Sequence, residues 1–184
     1  MWPFGKRAKV SPALLEMPQR IPTVKFDPGR VTPAVEACIL STLKSIPELS
    51  GELAVRLYGA AIESVRSGRD LKVLRDSLTD IGLSQKEASE IALFVNNRAS
   101  SVIQREEQIS GNIKNAIWMH SGAPCVLRPK HSTRSESNRN ADHISVDGKQ
   151  YDVAKGMLIR GKCVWPGEEL GCKCFSRPVL PAFK

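Results

Sequence analysis

Apolar residues recur at helical spacing from Thr32 to about Gln108 and then stop doing so. That change of period divides the chain into a helical half that can bury an aliphatic face and a tail that must be held in another way. Thr32 is a ready N-cap with Pro33 at the first helical position, where the missing N–H costs nothing. Ala34, Ala37, Cys38, Leu40 and Ile46 follow as an apolar stripe that ends at Pro47. Ser50 opens a second helix with Leu53, Ala54, Leu57, Ala60, Ala61 and Val65 on one face, closing near Gly68. Asp70 begins a short third helix that buries Leu71, Val73, Leu74, Leu78 and Ile81 before Gly82. Ser84-Gln85-Lys86-Glu87 is a capping box, the strongest local signal in the chain. It starts a long helix to about Gln108, with Ala88, Ile91, Ala92, Val95, Ala99, Val102 and Ile103 facing inward. Four amphipathic helices predict a small bundle over residues 32–112, in which Cys38 is a core thiol.

Either side of this bundle the chain is basic. The formal net charge is +8, and residues 1–30 hold six Lys/Arg against two Asp/Glu, residues 113–184 twelve against six. Lys6, Arg7, Lys9, Arg128, Lys130, Arg134 and Arg139 are the candidate contacts to nucleic-acid phosphates. Pro3, Pro12, Pro18, Pro22 and Pro28 leave no room for a long helix, so residues 1–31 read as an extended basic arm. Its apolar residues, Trp2, Phe4, Leu14, Leu15 and Phe26 among them, predict that it lies against its own domain or a partner.

After Ser110-Gly111-Asn112, residues 116–119 and 149–153 read as strands, the second following the turn signal Asp147-Gly148. Residues 156–160 and 175–180 add short strands. Residues 127–146 are polar and charged with little to bury, and are expected to form a long exposed loop. Residues 113–184 thus form a loop-rich antiparallel β unit too poor in apolar residues to stand without a staple. Four of the five cysteines lie after residue 120. With His131, they supply soft ligands suited to tetrahedral zinc: Cys125, His131, Cys172 and Cys174, with Cys163 as a bystander or a replacement. The alternative is a group of reduced thiols with His131 in an ordinary hydrogen bond. The fold class expected is α+β: an arm, a helical bundle and a zinc-stapled β unit.

The tail also carries a series of short motifs in order. They are Trp118-Met119-His120-Ser121-Gly122, Arg128-Pro129-Lys130-His131, Asp147-Gly148-Lys149, the run Pro166-Gly167 to Cys172-Lys173-Cys174, and Pro178-Val179-Leu180. This series resembles the C-terminal signature of the phage Mu protein F-like head morphogenesis family, over roughly residues 85–180. The chain departs from that pattern at Ala123-Pro124-Cys125, where an acidic residue is common, and at Lys173, where Arg is typical. The resemblance implies a minor capsid protein of the virion head, made in the host cytoplasm. It further implies incorporation near the portal in head assembly, with portal protein, other head proteins and DNA as partners, and no enzymatic activity.

Two other classes compete with that expectation. Asp142-His143-Ile144 echoes a metal-dependent His-Asn-His nuclease, in which the histidine activates water. No histidine follows His143, however, so the second metal-binding histidine of such a site is absent. A zinc-stapled DNA-binding regulator needs a recognition helix with clustered Arg, Asn or Gln, and the expected helices are mixed in charge. No run of about 18 apolar residues predicts a membrane span, and the opening residues lack the apolar stretch of a signal peptide. A cytosolic protein is therefore expected, in which cysteines serve as thiols or ligands.

Overall fold

The computed structural model describes residues 27–49, 51–128 and 132–180, which form an α+β fold of five helices and five short strands. Lys6, Arg7, Lys9, Lys130, His131 and most of the expected arm lie outside the described residues. The end of that arm, Pro28–Arg30, is a single 3-10 turn leading into the first helix. No helix among the described residues is long and apolar enough to cross a membrane.

Helices α1 (Pro33–Ser45), α2 (Glu52–Arg66), α3 (Leu71–Asp80) and α4 (Gln85–Ser110) make the expected bundle. The starts of α1, α3 and α4 follow the caps read from the sequence, whereas α2 starts from Gly51 with no side-chain cap rather than from Ser50. Thr32 Oγ1 accepts from Val35 N, Asp70 from Lys72 N, and Ser84 and Glu87 form both halves of a capping box. Helix α4 is the spine, touching the other three helices and the sheet. Ile39, Leu43, Leu74, Leu78, Ile91 and Val95 are fully buried between them. Asn96 Nδ2 donates to Ser64 Oγ at 3.0 Å, and Ser64 Oγ donates to the Asp70 carbonyl at 2.7 Å, so buried polar groups pin α2, α3 and α4 together.

On α1 the buried face is Val35, Ile39, Thr42 and Leu43. Ala34 and Ala37 are exposed, and Cys38 is half-buried rather than a core thiol. Both sets have helical spacing, and the set with more apolar surface to remove from water takes the interior. Thr42 joins it because its hydroxyl donates back to the Cys38 carbonyl at 2.6 Å.

The tail places β1 (Asn115–Met119) at the centre of a three-stranded antiparallel sheet, flanked by β2 (Gln150–Asp152) and β5 (Phe175–Pro178). Ala116 pairs with Tyr151 on one side and Pro178 on the other, and Trp118 pairs with Ser176. Strands β3 (Met157–Ile159) and β4 (Lys162–Val164) form a separate hairpin. The loop expected over residues 127–146 is corrected at its centre: Arg134–Ser145 is a helix, α5. Thr133 and Glu136 cap it with a second full capping box. Its sequence offers almost no apolar stripe, so tertiary anchors hold it. Arg139 Nη2 donates to the Leu170 carbonyl at 2.6 Å, and Asp142 pairs with Arg160 at 2.7 Å.

The tail is bolted to α4 by a buried polar cluster. Gln108 Nε2 donates to Ser176 Oγ at 3.0 Å, Tyr151 donates to the same oxygen at 2.7 Å, and Gln104 Nε2 donates to the Ser176 carbonyl at 2.9 Å. Ser101 donates to the Pro166 carbonyl. Leu127 and Leu170 pack against the helical core.

At Gly171 (φ +76°) a Cβ would lie 2.2 Å from Leu127 N and 2.4 Å from the Val126 carbonyl carbon, backbone atoms that have nowhere to go. Gly171→Ala is expected to destabilise the protein by about 3 kcal/mol or more, at the upper end for single substitutions. Thermal unfolding checks this, with Gly59→Ala, which meets open space in the middle of α2, as the neutral or stabilising comparison.

Candidate metal centre

Three segments converge on one point. Cys125 comes from the loop after β1, His143 from the last turn of α5, and Cys172 and Cys174 from the loop entering β5. Their ligand atoms all lie within 4.8 Å of one another. Cys125 Sγ is 3.5 Å from Cys174 Sγ and 4.0 Å from Cys172 Sγ. His143 Nδ1 is 3.4 Å from Cys172 Sγ and 3.9 Å from Cys174 Sγ. A tetrahedral metal with usual zinc bond lengths would set sulfur–sulfur edges of about 3.8 Å and sulfur–nitrogen edges of about 3.6 Å. The observed separations straddle those edges. The four residues can hold a metal ion, and they enclose it: His143 and Cys125 are 0% exposed, Cys172 1% and Cys174 6%.

Local structure explains how residues so far apart in sequence present their ligand atoms to one point. A Cys-x-Cys pair in extended backbone aims both sulfurs to one face, because side chains i and i+2 share a side. The pair follows a turn closed by Cys172 N donating to the Glu169 carbonyl at 2.8 Å, with Gly171 at positive φ. Gly167 N donates to Cys172 Sγ at 3.3 Å. The Cys125 N–H donates to Asn140 Oδ1 at 2.7 Å, which fixes the loop to α5. His143 Nε2 lies 2.8 Å from Glu169 Oε2, so the carboxylate holds the ring with Nδ1 toward the sulfurs. Metal-bound histidines commonly have such an outer partner, which sets tautomer and orientation. Trp118 covers the ring edge-on, with centroids 5.1 Å apart.

Electrostatics follow from this crowding. Contacts with Cys172 and Cys174 hold the Cys125 thiol far below its usual range, against the opposing effect of burial. The same contacts push Cys174 well up. Burial alone would lower the His143 imidazole, but Cys125 and Cys172 outweigh it and raise it to about 10.

The imidazole of this cluster is His143 rather than the expected His131, which lies outside the described residues. Cys163 is corrected as a candidate ligand: it is exposed on β4, where it pairs with Leu158, away from the cluster. Cys125, Cys172 and Cys174 are brought together as expected. In the sequence His143 stands out only through Asp142-His143-Ile144; the signal that could have found its helix is Thr133-x-x-Glu136, the capping box that starts it. His120 lies nearby in a structural role, its Nδ1 accepting from Gly122 N at 3.1 Å.

The expected phosphate contacts fare less well. Arg128 pairs with Glu48 at 2.8 Å, a bridge from tail to bundle, and Arg139 holds the Leu170 carbonyl. Both are structural in this fold rather than free cations. Arg134 is exposed in the first turn of α5.

No protein-family model, curated protein or solved structure matches the chain.

Two outcomes are expected. Glu169→Gln should weaken metal binding by about 10- to 100-fold while Cys163→Ser leaves it unchanged, as measured by competition with a chromogenic chelator. In the metal-free protein, the His143 pKa lies above its ordinary 6.5. Its stabilising contribution is therefore complete below about pH 6.5 and lost as pH rises through about 10. The metal-loaded protein should show the opposite trend, releasing metal as pH falls because protons compete for the ligands. Thermal midpoints against pH, with and without chelator, check both signs.

Proposed function

We propose that the chain is a non-catalytic structural protein of a phage head, of the Mu protein F-like kind, whose tail is stapled by zinc. The observation that carries this reading is the closed Cys3His cluster. All four positions are taken by protein side chains and the centre is sealed from solvent. Structural zinc sites are closed in this way, whereas catalytic ones keep a position for water or substrate. Three thiolates with one imidazole also favour zinc over the hard cations that select oxygen ligands.

The motifs behind the family resemblance also support the reading. Trp118 covers the ligand histidine, Pro166-Gly167 seats the turn against α4, and Cys172 and Cys174 are ligands. In a head protein, such a tail would be a rigid docking module for portal and other head proteins near the portal vertex, with DNA as a further partner. The nuclease alternative has less to stand on. His143 is buried with both ring nitrogens engaged, and Asp142 is paired with Arg160, so neither faces a position where a phosphodiester could sit.

Protein purified without added metal is expected to carry about one equivalent of zinc. Chelation, or Cys172→Ser, should unfold residues 113–180 while the bundle keeps its helical signal. The zinc-loaded protein should capture portal protein, and the chelated form should not. Absence of zinc with an intact tail would refute the staple, and capture indifferent to chelation would refute the docking role.

A further inference from the structure

A second feature lies where α1, α4 and the Trp165–Glu168 turn enclose a cleft of about 330 Å³. Two arginines of α4, Arg98 and Arg105, line it. Seven residues apart, they share one helix face, with their Cα atoms about 10 Å apart along the axis. Neither makes an ion pair among the described residues, whereas Arg128 pairs with Glu48 and Arg139 holds the Leu170 carbonyl. Arg98 Nε is buried without a hydrogen-bond partner among the described residues. Arg105 sits over the Trp165 ring, its guanidinium carbon 4.5 Å from the ring centroid. A cation held over an aromatic face keeps N–H donors for a further acceptor.

Both charges act on one side chain of the cleft wall, Cys38. Burial pushes the Cys38 thiol up, and Arg98 and Arg105 are the two positive charges that pull against it. The one carboxylate on the cleft wall, Glu168, is turned to its own backbone: Oε2 accepts from Trp165 N at 3.0 Å, and no ion pair joins it to either arginine.

We propose that this cleft is a binding site for a phosphate group, held between the guanidinium forks of Arg98 and Arg105. A phosphate presents several acceptor oxygens, which matches two planar five-donor groups better than any neutral ligand does. A cation is excluded by the same charges. The phosphate is either a small free anion or one unit of a polynucleotide backbone. The site is independent of the zinc staple and of the head-protein reading, and it involves none of the basic residues singled out from the sequence.

The test uses the full zinc-loaded chain, titrated calorimetrically with inorganic phosphate and, separately, with a short oligodeoxynucleotide. Saturable binding is expected, and Arg98→Gln or Arg105→Gln should each weaken it by about 10- to 100-fold, the loss of one charge-assisted contact. Arg98→Lys and Arg105→Lys keep the charge and lose the fork, and should weaken it less. Glu168→Gln should tighten it, because the nearby negative charge is gone and the amide oxygen can still accept from Trp165 N. Unchanged thermal midpoints and zinc content separate these effects from misfolding.

A second readout needs no variant: bound phosphate should slow alkylation of Cys38, in the cleft wall, and leave the exposed Cys163 unaffected. Phosphate that binds alone assigns a small-anion site. Oligonucleotide binding that phosphate competes away, and whose salt slope falls by about one per arginine removed, assigns a backbone site. No saturable binding of either, or binding that survives both Arg→Gln changes, overturns the proposal.

Discussion

The tail depends on four side chains meeting at one point. Of the ten buried residues that form its small apolar core, three are Cys125, Cys172 and Cys174, the sulfurs of the cluster. Beyond that convergence, the segment around Cys125, helix α5 and the loop into β5 are joined by the Cys125–Asn140, Arg139–Leu170 and Lys173–Pro124 hydrogen bonds and by the packing around Trp118. A dry, close-packed cluster of three thiols and an imidazole is costly to bury by itself, because each thiol hydrogen bond replaces a better one to water. A divalent cation held at the centre would turn that cost into a large favourable term, and metal binding and folding of the tail would then be one process.

From this centre the constraints spread outward. Glu169 holds the ligand ring and precedes the Leu170-Gly171 turn, and Leu170 packs onto the helical core while its carbonyl receives Arg139. Leu127 lies next to Gly171 and reaches the same core from the Cys125 side. The loops that carry the cysteines are therefore also the loops that dock the tail on the bundle. The seam is completed by the Gln108–Ser176–Tyr151 cluster, where buried polar groups satisfy one another and so fix a single registration between α4 and β5. A change at the centre would be felt at the seam, since the same few residues serve both.

The bundle was largely legible from its sequence, and the reasons are local. Thr32, Asp70 and Ser84 cap helices through their own side chains, and the apolar spacing of α2 and α4 matches the faces they bury. On α1 two apolar sets compete at the same period, and only packing against α2 and α4 decides between Ala34-Ala37-Leu40 and Val35-Ile39-Leu43. Helix α5 was illegible for a different reason. Its one buried residue is His143, and no hydropathy pattern marks a histidine as an anchor. Arg128 and Arg139 likewise look like free cations until Glu48 and the Leu170 carbonyl are brought beside them by the fold.

By itself the sequence determined the boundary between an amphipathic helical half and a tail poorer in apolar residues. It also determined the soft ligand atoms that tail could offer a metal, because a scarcity of apolar residues and a concentration of thiols are both properties of composition along the chain. Only the tertiary structure decided which imidazole joins the three sulfurs, and that Cys163 stays on the surface. It also decided that Arg98 and Arg105 line a common cleft with no ion pair among the described residues. Ligation and charge pairing are set by distances of a few ångströms between residues tens of positions apart, and those distances exist only once the helices, strands and turns have packed.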